Sequence, residues 1–360
     1  MPPQRNEKVS PPSTKNINRG IQGFILFTVL GLAFVIWWKT PAGLSYLFTH
    51  LNSPVMFWII PLLLGDYLIG GFRYSLFFDG EIMPEISLWD SMRSNWANMF
   101  MGAVTPFQTG GGPAQLYILW RCGAKIYQGA LISLINFGAT LIFFQAASLI
   151  VILSLPPHYF GENATNIIRS GFIGIILFSG LVGLVLTFPA LGYKLIEFVF
   201  RIIPPRLSRL HALKTRLLHI LQSEISQFRD SFRLILRKKK KYLLIIVLAT
   251  MVLFFNKYIL GFVIASILSP GVQFKDFIGL QIIQYFLMYF APTPGASGLA
   301  EISSTYLMDK IMETQVLVFY AVIFRFLTTV LGALIGGVVM IFDLKNWAKE
   351  HRAEAVVEND

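Results

Sequence analysis

One interruption occurs twice in this chain, 186 positions apart. Thr105 to Leu116 reads TPFQTGGGPAQL, and Ala291 to Ile302 reads APTPGASGLAEI. In that register Pro106 meets Pro292, Gly112 meets Gly298, Ala114 meets Ala300 and Gln115 meets Glu301. Upstream, Asn95 falls on Gln281, Asn98 on Gln284 and Phe100 on Phe286. Each copy breaks an apolar stretch with Pro and Gly. In hydrocarbon every backbone N–H and C=O must find a partner, so non-helical backbone survives there only against protein or a water-filled cavity. Paired breaks in corresponding positions of two halves point to a transport site at a repeat interface.

The chain is 55% hydrophobic and 14% charged, with mean hydropathy +0.62. Soluble domains carry about a quarter charged residues, so this is a polytopic membrane protein. Six runs are long enough to cross about 30 Å of hydrocarbon: Gly20–Trp38, Pro54–Gly71, Tyr127–Leu155, Gly171–Phe200, Tyr242–Leu268 and Val316–Ile341. The first lacks a cleavage pattern and reads as an uncleaved anchor. Two broken segments remain, Trp89–Arg121 and Phe277–Met308. If both are re-entrant and the N-terminus is cytoplasmic, 23 Lys/Arg lie inside and four outside. If both cross, the best division is 16 against 11. The positive-inside rule selects re-entry. Three full spans then separate Pro54–Gly71 from Tyr242–Leu268, so repeat one (about 54–155) and repeat two (about 242–341) have opposite orientations. The expected fold is therefore an all-α polytopic membrane protein with six full transmembrane helices, two oppositely inserted re-entrant helical hairpins and inverted-repeat symmetry. Residues 1–19 and 342–360 are expected as cytoplasmic tails flanking a single transmembrane domain, 20–341.

The net charge of +11 does not signal nucleic acid, because 12 of the 30 Lys/Arg lie in Arg201–Lys241 with no aromatic stacking motif. Leu210, Leu213, Leu217, Ile220, Phe228, Phe232 and Ile235 recur there at helical steps. This is the pattern of an amphipathic helix on the cytoplasmic leaflet, with Lys238–Lys241 drawn to anionic headgroups. Arg73 and Arg93 are read first as positive-inside anchors and second as contacts for a lipid phosphate. Asn163-Ala164-Thr165 fits a glycosylation sequon in an outer loop.

Candidate binding residues cluster at the breaks. Gly110, Gly111 and Gly112 precede Pro113, where a helix is expected to start. Free N–H groups at such a start attract an anion, with Thr105, Gln108 and Gln115 adding neutral donors and acceptors, or else the glycines serve close helix packing. In the second copy Ser297 and Gly298 lead to Glu301, suited either to an amine, cation or proton or to capping its own helix. Asn95, Asn98, Gln281 and Gln284 place two carboxamides on one face of each leading helix, either to bind headgroups or to lock the hairpins. Ionisable groups at membrane depth are costly, about 2.5–3.5 kcal/mol each. Asp66, Lys257, Glu301 and Arg325 are such groups, expected to pair as Glu301 with Arg325 and Asp66 with Lys257. No catalytic constellation, metal-ligand spacing or cofactor motif is legible, so no cofactor or metal is expected.

At TPFQTGGGPAQLYILWRCG (Thr105–Gly123) and PTPGASGLAE (Pro292–Glu301) the sequence resembles the lysylphosphatidylglycerol synthase transmembrane-domain family, over about Gly20 to Ile341. That family includes the flippase half of the multiple peptide resistance factor. The resemblance implies movement of lipids, such as aminoacylated phosphatidylglycerol, between leaflets, with the headgroup between the hairpins. Many relatives carry an acidic residue where this chain has Gln115. About twenty residues follow the last span, so the family's aminoacyltransferase domain is expected to be absent and the chain not to be an enzyme in its own right. The reading is an inner-membrane lipid flippase working by alternating access, with membrane lipids as partners. A secondary transporter of a small polar solute, or a membrane subunit beside a lipid-modifying enzyme, are the alternatives.

Overall fold

The computed structural model describes residues 54–154, 227–289 and 291–357 continuously, with scattered helical positions between 21 and 37 and between 172 and 198. The described residues are helical, without strands. Four helical stretches are long and apolar enough to cross a membrane: Pro54–Ser75, Ile126–Val151, Lys240–Leu268 and Thr314–Trp347. They coincide with four of the six expected spans. Gly20–Trp38 and Gly171–Phe200 are described only at scattered, mostly helical positions, and the sequon at Asn163 and residues 201–226 of the basic helix lie outside the described residues.

In chain order the helices used below are α1 (Ile59–Ser75), α2 (Leu88–Val104), α3 (Gly111–Arg121), α4 (Ile126–Ser154), α5 (Lys240–Leu268), α6 (Phe274–Tyr289), α7 (Leu299–Met308), α8 (Leu317–Arg325) and α9 (Leu331–Val357). A π-turn, Phe326–Val330, joins α8 to α9. The last helix continues past Ile341, where the apolar run ends, to Val357. Apolar composition marks where a helix can leave the bilayer; it does not mark where helical hydrogen bonding ends. Asp343, buried at 4% exposure, lies in this continuation and is ion-paired to Arg93 of α2.

The chain forms two compact units, one comprising residues 1–72, 87–123 and 251–360, the other 73–86 and 124–250. In the first, α2 and α9 run antiparallel, since Arg93 meets Asp343 while Met99 lies at Gly332. Gly332 and Gly336, four apart, make the closeness possible. A Cβ on Gly336 would fall 1.9 Å from the Trp96 carbonyl oxygen, and one on Gly332 would fall 2.2 Å from Met99 Cε. Small residues four apart let membrane helices approach backbone to backbone. The two breaks and the pairs Asp66–Lys257 and Glu301–Arg325 also belong to this unit.

In the second unit Arg73 is buried, donating to the Asn136 carbonyl at 2.8 Å and to Thr140. It clamps α4 and is not displayed to a lipid phosphate. A helix over 227–238 carries the described end of the basic segment, with Phe228 and Ile235 buried and Arg229, Arg233 and Arg237 exposed, as its period requires. The run Lys238–Lys241 is not uniform. Lys239 is buried and bound to Asp79, at 2.5 Å, and to Glu81, while its three neighbours are exposed. Burial opposes charge on both partners, but their mutual hydrogen bonding prevails: it holds the Asp79 carboxyl below its ordinary range and Lys239 above its own.

Candidate functional site

The first break starts where α2 ends at Val104. Thr105 is extended, and its hydroxyl donates to the Met101 carbonyl at 2.6 Å and accepts from the Gly110 N–H at 2.8 Å. One side chain thereby serves both the last turn of α2 and the first of α3. Between them Phe107 and Gln108 sit at φ 51° and 55°, the left-handed region that costs non-glycine residues about 1–2 kcal/mol each. Both are exposed.

Helix α3 begins at Gly111, two residues before the expected Pro113. At the third helical position proline lacks an N–H that would have had no partner anyway. The three glycines differ in what surrounds them. A Cβ on Gly110 would fall 2.6 Å from Thr105 Cγ2, and one on Gly111 would fall 2.6 Å from Asn98 Oδ1. Gly112 has nothing within 4 Å and faces open space. Asn98 also donates to Gln115 Oε1 at 3.2 Å, tying α2 to α3.

The second break, after α6, is buried at Pro294–Ser297. Gly295 and Ala296 repeat the left-handed pair at φ 55° and 60°. Gly298, at φ 82°, caps α7. Glu301, fully buried, accepts the Gly298 N–H at 2.6 Å and Arg325 Nε at 3.1 Å. Arg325 further donates to the Gly295 carbonyl at 2.8 Å, to Ser297 Oγ at 3.4 Å and to Thr329 Oγ1 at 3.0 Å. Its guanidinium thus supplies the loop with the donors that water would supply outside a membrane. The π-turn that follows places Thr329 against it. Gln284 donates to Ser304 of α7, the counterpart of the Asn98–Gln115 tie.

The local structures correct the sequence register downstream of the breaks. The leading helices align as expected, Leu88 on Phe274, but the helix caps pair Gly110 with Gly298 rather than Gly112 with Gly298. The second copy carries two extra residues before its turn. Glu301 therefore occupies the third helical position, where a carboxylate caps, while Gln115 lies half a turn deeper. These two residues are not equivalent.

Both expected ion pairs are present: Glu301 with Arg325, and Lys257 Nζ with Asp66 at 2.6 Å. Asn95 and Gln281 fill matching sockets. A Cβ on Gly70 of α1 would fall 2.5 Å from Asn95 Nδ2, and one on Gly261 of α5 would fall 2.9 Å from Gln281 Oε1. Gln281 also accepts from Tyr320 at 3.0 Å. In these contacts all four carboxamides pack against or tie neighbouring helical elements. The Pro106–Gln108 turn lies against the Pro294–Ala296 turn, so the two break tips meet. Asn256, whose side chain donates to the Leu62 carbonyl at 2.8 Å, and Ser304 were not singled out in the sequence. Nothing in their spacing distinguishes them from other small polar residues of apolar helices. Among the described residues no group of three or more metal-ligating side chains occurs.

Membrane-length apolar helices around two hydrogen-bonded helix breaks define a multi-span α-helical membrane protein. The chain belongs to the lysylphosphatidylglycerol synthase TM region family, which matches residues 23–336. It is also similar to a UPF0104 membrane protein of Archaeoglobus fulgidus, 24% identical over 301 residues, covering 81% of this chain and 84% of the relative.

Proposed function

We propose that this protein is a lipid translocase of the cytoplasmic membrane. In this reading repeats one (54–155) and two (242–341) insert in opposite senses, both termini are cytoplasmic, and a lipid headgroup passes between the break tips by alternating access. The observation that carries it is the meeting of the two turns, with Gly112 opening onto empty space beside them. Gly110 and Gly111 are accounted for by packing; Gly112 is not. A glycine there leaves the first turn of α3 open to a ligand's phosphate. Glu301 and Arg325 neutralise each other and hold the loop, so the headgroup contact falls to backbone N–H groups of the first break. The exposed basic side chains of 227–241, Lys239 excepted, fit anionic headgroups of the adjacent leaflet.

The test is leaflet exchange of fluorescent headgroup-labelled lipids in proteoliposomes, read by dithionite quenching. Phosphatidylglycerol, its lysyl derivative and a polyprenyl phosphate form the panel. Gly112→Leu should abolish exchange, while Gly138→Leu on α4, which also meets nothing within 4 Å, should leave it intact. Absence of exchange for every lipid by folded protein would replace this reading with a carrier of small polar solutes or a membrane subunit of a lipid-modifying enzyme.

A further inference from the structure

A groove of about 490 Å³ runs between α2 and α9, away from the breaks. Its walls are apolar, from Trp89 and Trp96 on α2 and Ile335 and Val339 on α9, and one end closes on Arg93 and Asp343. Its volume falls in the range of small-molecule sites, and α9 crosses this level within an apolar, membrane-length stretch. A groove so placed is filled from the bilayer, so its occupant has a hydrocarbon chain. The charged end decides what headgroup that chain bears.

Arg93 is bound to Asp90 at 2.6 Å and to Asp343. Its side chain is 26% exposed, Asp90's 28% and Asp343's 5%. A guanidinium has five N–H donors, so donors remain to receive a phosphate. One guanidinium with two carboxylates carries a net charge of −1, which repels a purely anionic headgroup and attracts an ammonium. Asp343 Oδ2 is buried without a hydrogen-bond donor among the described residues. The Trp96 indole N–H, also buried, has no acceptor among them, and a lipid ester carbonyl at this depth would be one. Trp89 and Trp96 stand edge to face at 5.3 Å beside the cluster, and indole faces attract ammonium groups.

We propose that this groove is a binding site for one zwitterionic phospholipid bearing both a phosphate and a primary amine. The phosphate meets Arg93, the ammonium meets Asp90, and one acyl chain lies along Trp96, Ile335 and Val339. This site is independent of the translocation reading and stands if that reading fails.

The experiment uses the full chain in nanodiscs of unbrominated phosphatidylcholine, titrated with phosphatidylethanolamine or phosphatidylglycerol carrying dibrominated acyl chains, which quench tryptophan on contact. The groove signal is the difference between wild type and Trp89→Phe. Half-quenching should need at least threefold less of the brominated phosphatidylethanolamine than of the phosphatidylglycerol. Asp90→Asn should erase that preference, and Val339→Trp, which fills the groove and leaves the charges, should remove slow-exchanging quenching by either lipid. Equal quenching by both lipids would mean ordinary boundary lipid and overturn the site. A preference for phosphatidylglycerol, or one that survives Asp90→Asn in protein of unchanged melting temperature, would overturn the headgroup assignment.

Discussion

The two breaks share a left-handed turn and differ in what holds it. Each has a turn with two left-handed residues followed by a glycine cap, and each ties its leading helix to the helix beyond by a carboxamide. The first is exposed, uncharged and fastened by one threonine hydroxyl. The second is buried and fastened by an ion pair whose guanidinium reaches three further oxygens. A similar turn therefore needs little from its surroundings where it is accessible and a dedicated charged partner where it is enclosed. This fits a division of labour, in which the second break is a fixed wall and the first is the surface that meets a ligand.

The comparison predicts a graded response in thermal unfolding of the purified protein. Removing one partner of the buried pair, by Arg325→Met or Glu301→Leu, should cost about 3–5 kcal/mol because an uncompensated charge remains. The double variant should cost less than either single change. If it costs the full sum, the pair is not the unit that holds the second break. Next comes Gly111→Ala, whose methyl would press on Asn98 Oδ1 and its backbone oxygen, at about 1–3 kcal/mol. Thr105→Val should cost about 1 kcal/mol through loss of the shared cap. Gly112→Ala should stay within about 0.5 kcal/mol, yet slow lipid exchange if the first break is the ligand's side. A loss of stability there would remove the distinction among the three glycines.

The smallest effect should fall outside both breaks, at Lys239 and Asp79. The depressed Asp79 pKa contributes stability above its ordinary value of 3.8, lost as pH falls through the lower folded value. The raised Lys239 pKa contributes stability below its ordinary 10.5, lost as pH rises through the higher folded value. The contact is therefore complete across neutral pH. Melting temperature should be flat there for wild type and for Asp79→Asn alike, and a slope that vanishes only in the variant would show this contact titrating near neutrality.

The apolar runs made four of the spans legible, because hydrocarbon thickness fixes the length of an apolar helix. Pro and Gly made both breaks legible, because proline cannot donate the helical hydrogen bond and glycine frees the backbone to turn. The cost of burying charge made the pairs Asp66–Lys257 and Glu301–Arg325 legible. Asp343 was not, since it lies past the end of the apolar run Val316–Ile341.

What the sequence determined by itself is that this chain is a membrane protein with two similar helix breaks and buried charges that require partners. Those follow from solvation, which acts on each residue in proportion to what it is. Only the tertiary structure decided that Gly298 matches Gly110, that two of three adjacent glycines are packed and the third is open, and that Arg93 closes an apolar groove. Those depend on which atoms approach within a few ångströms across separate helices. Two residues inserted in a loop are enough to shift such contacts while leaving composition and hydropathy unchanged.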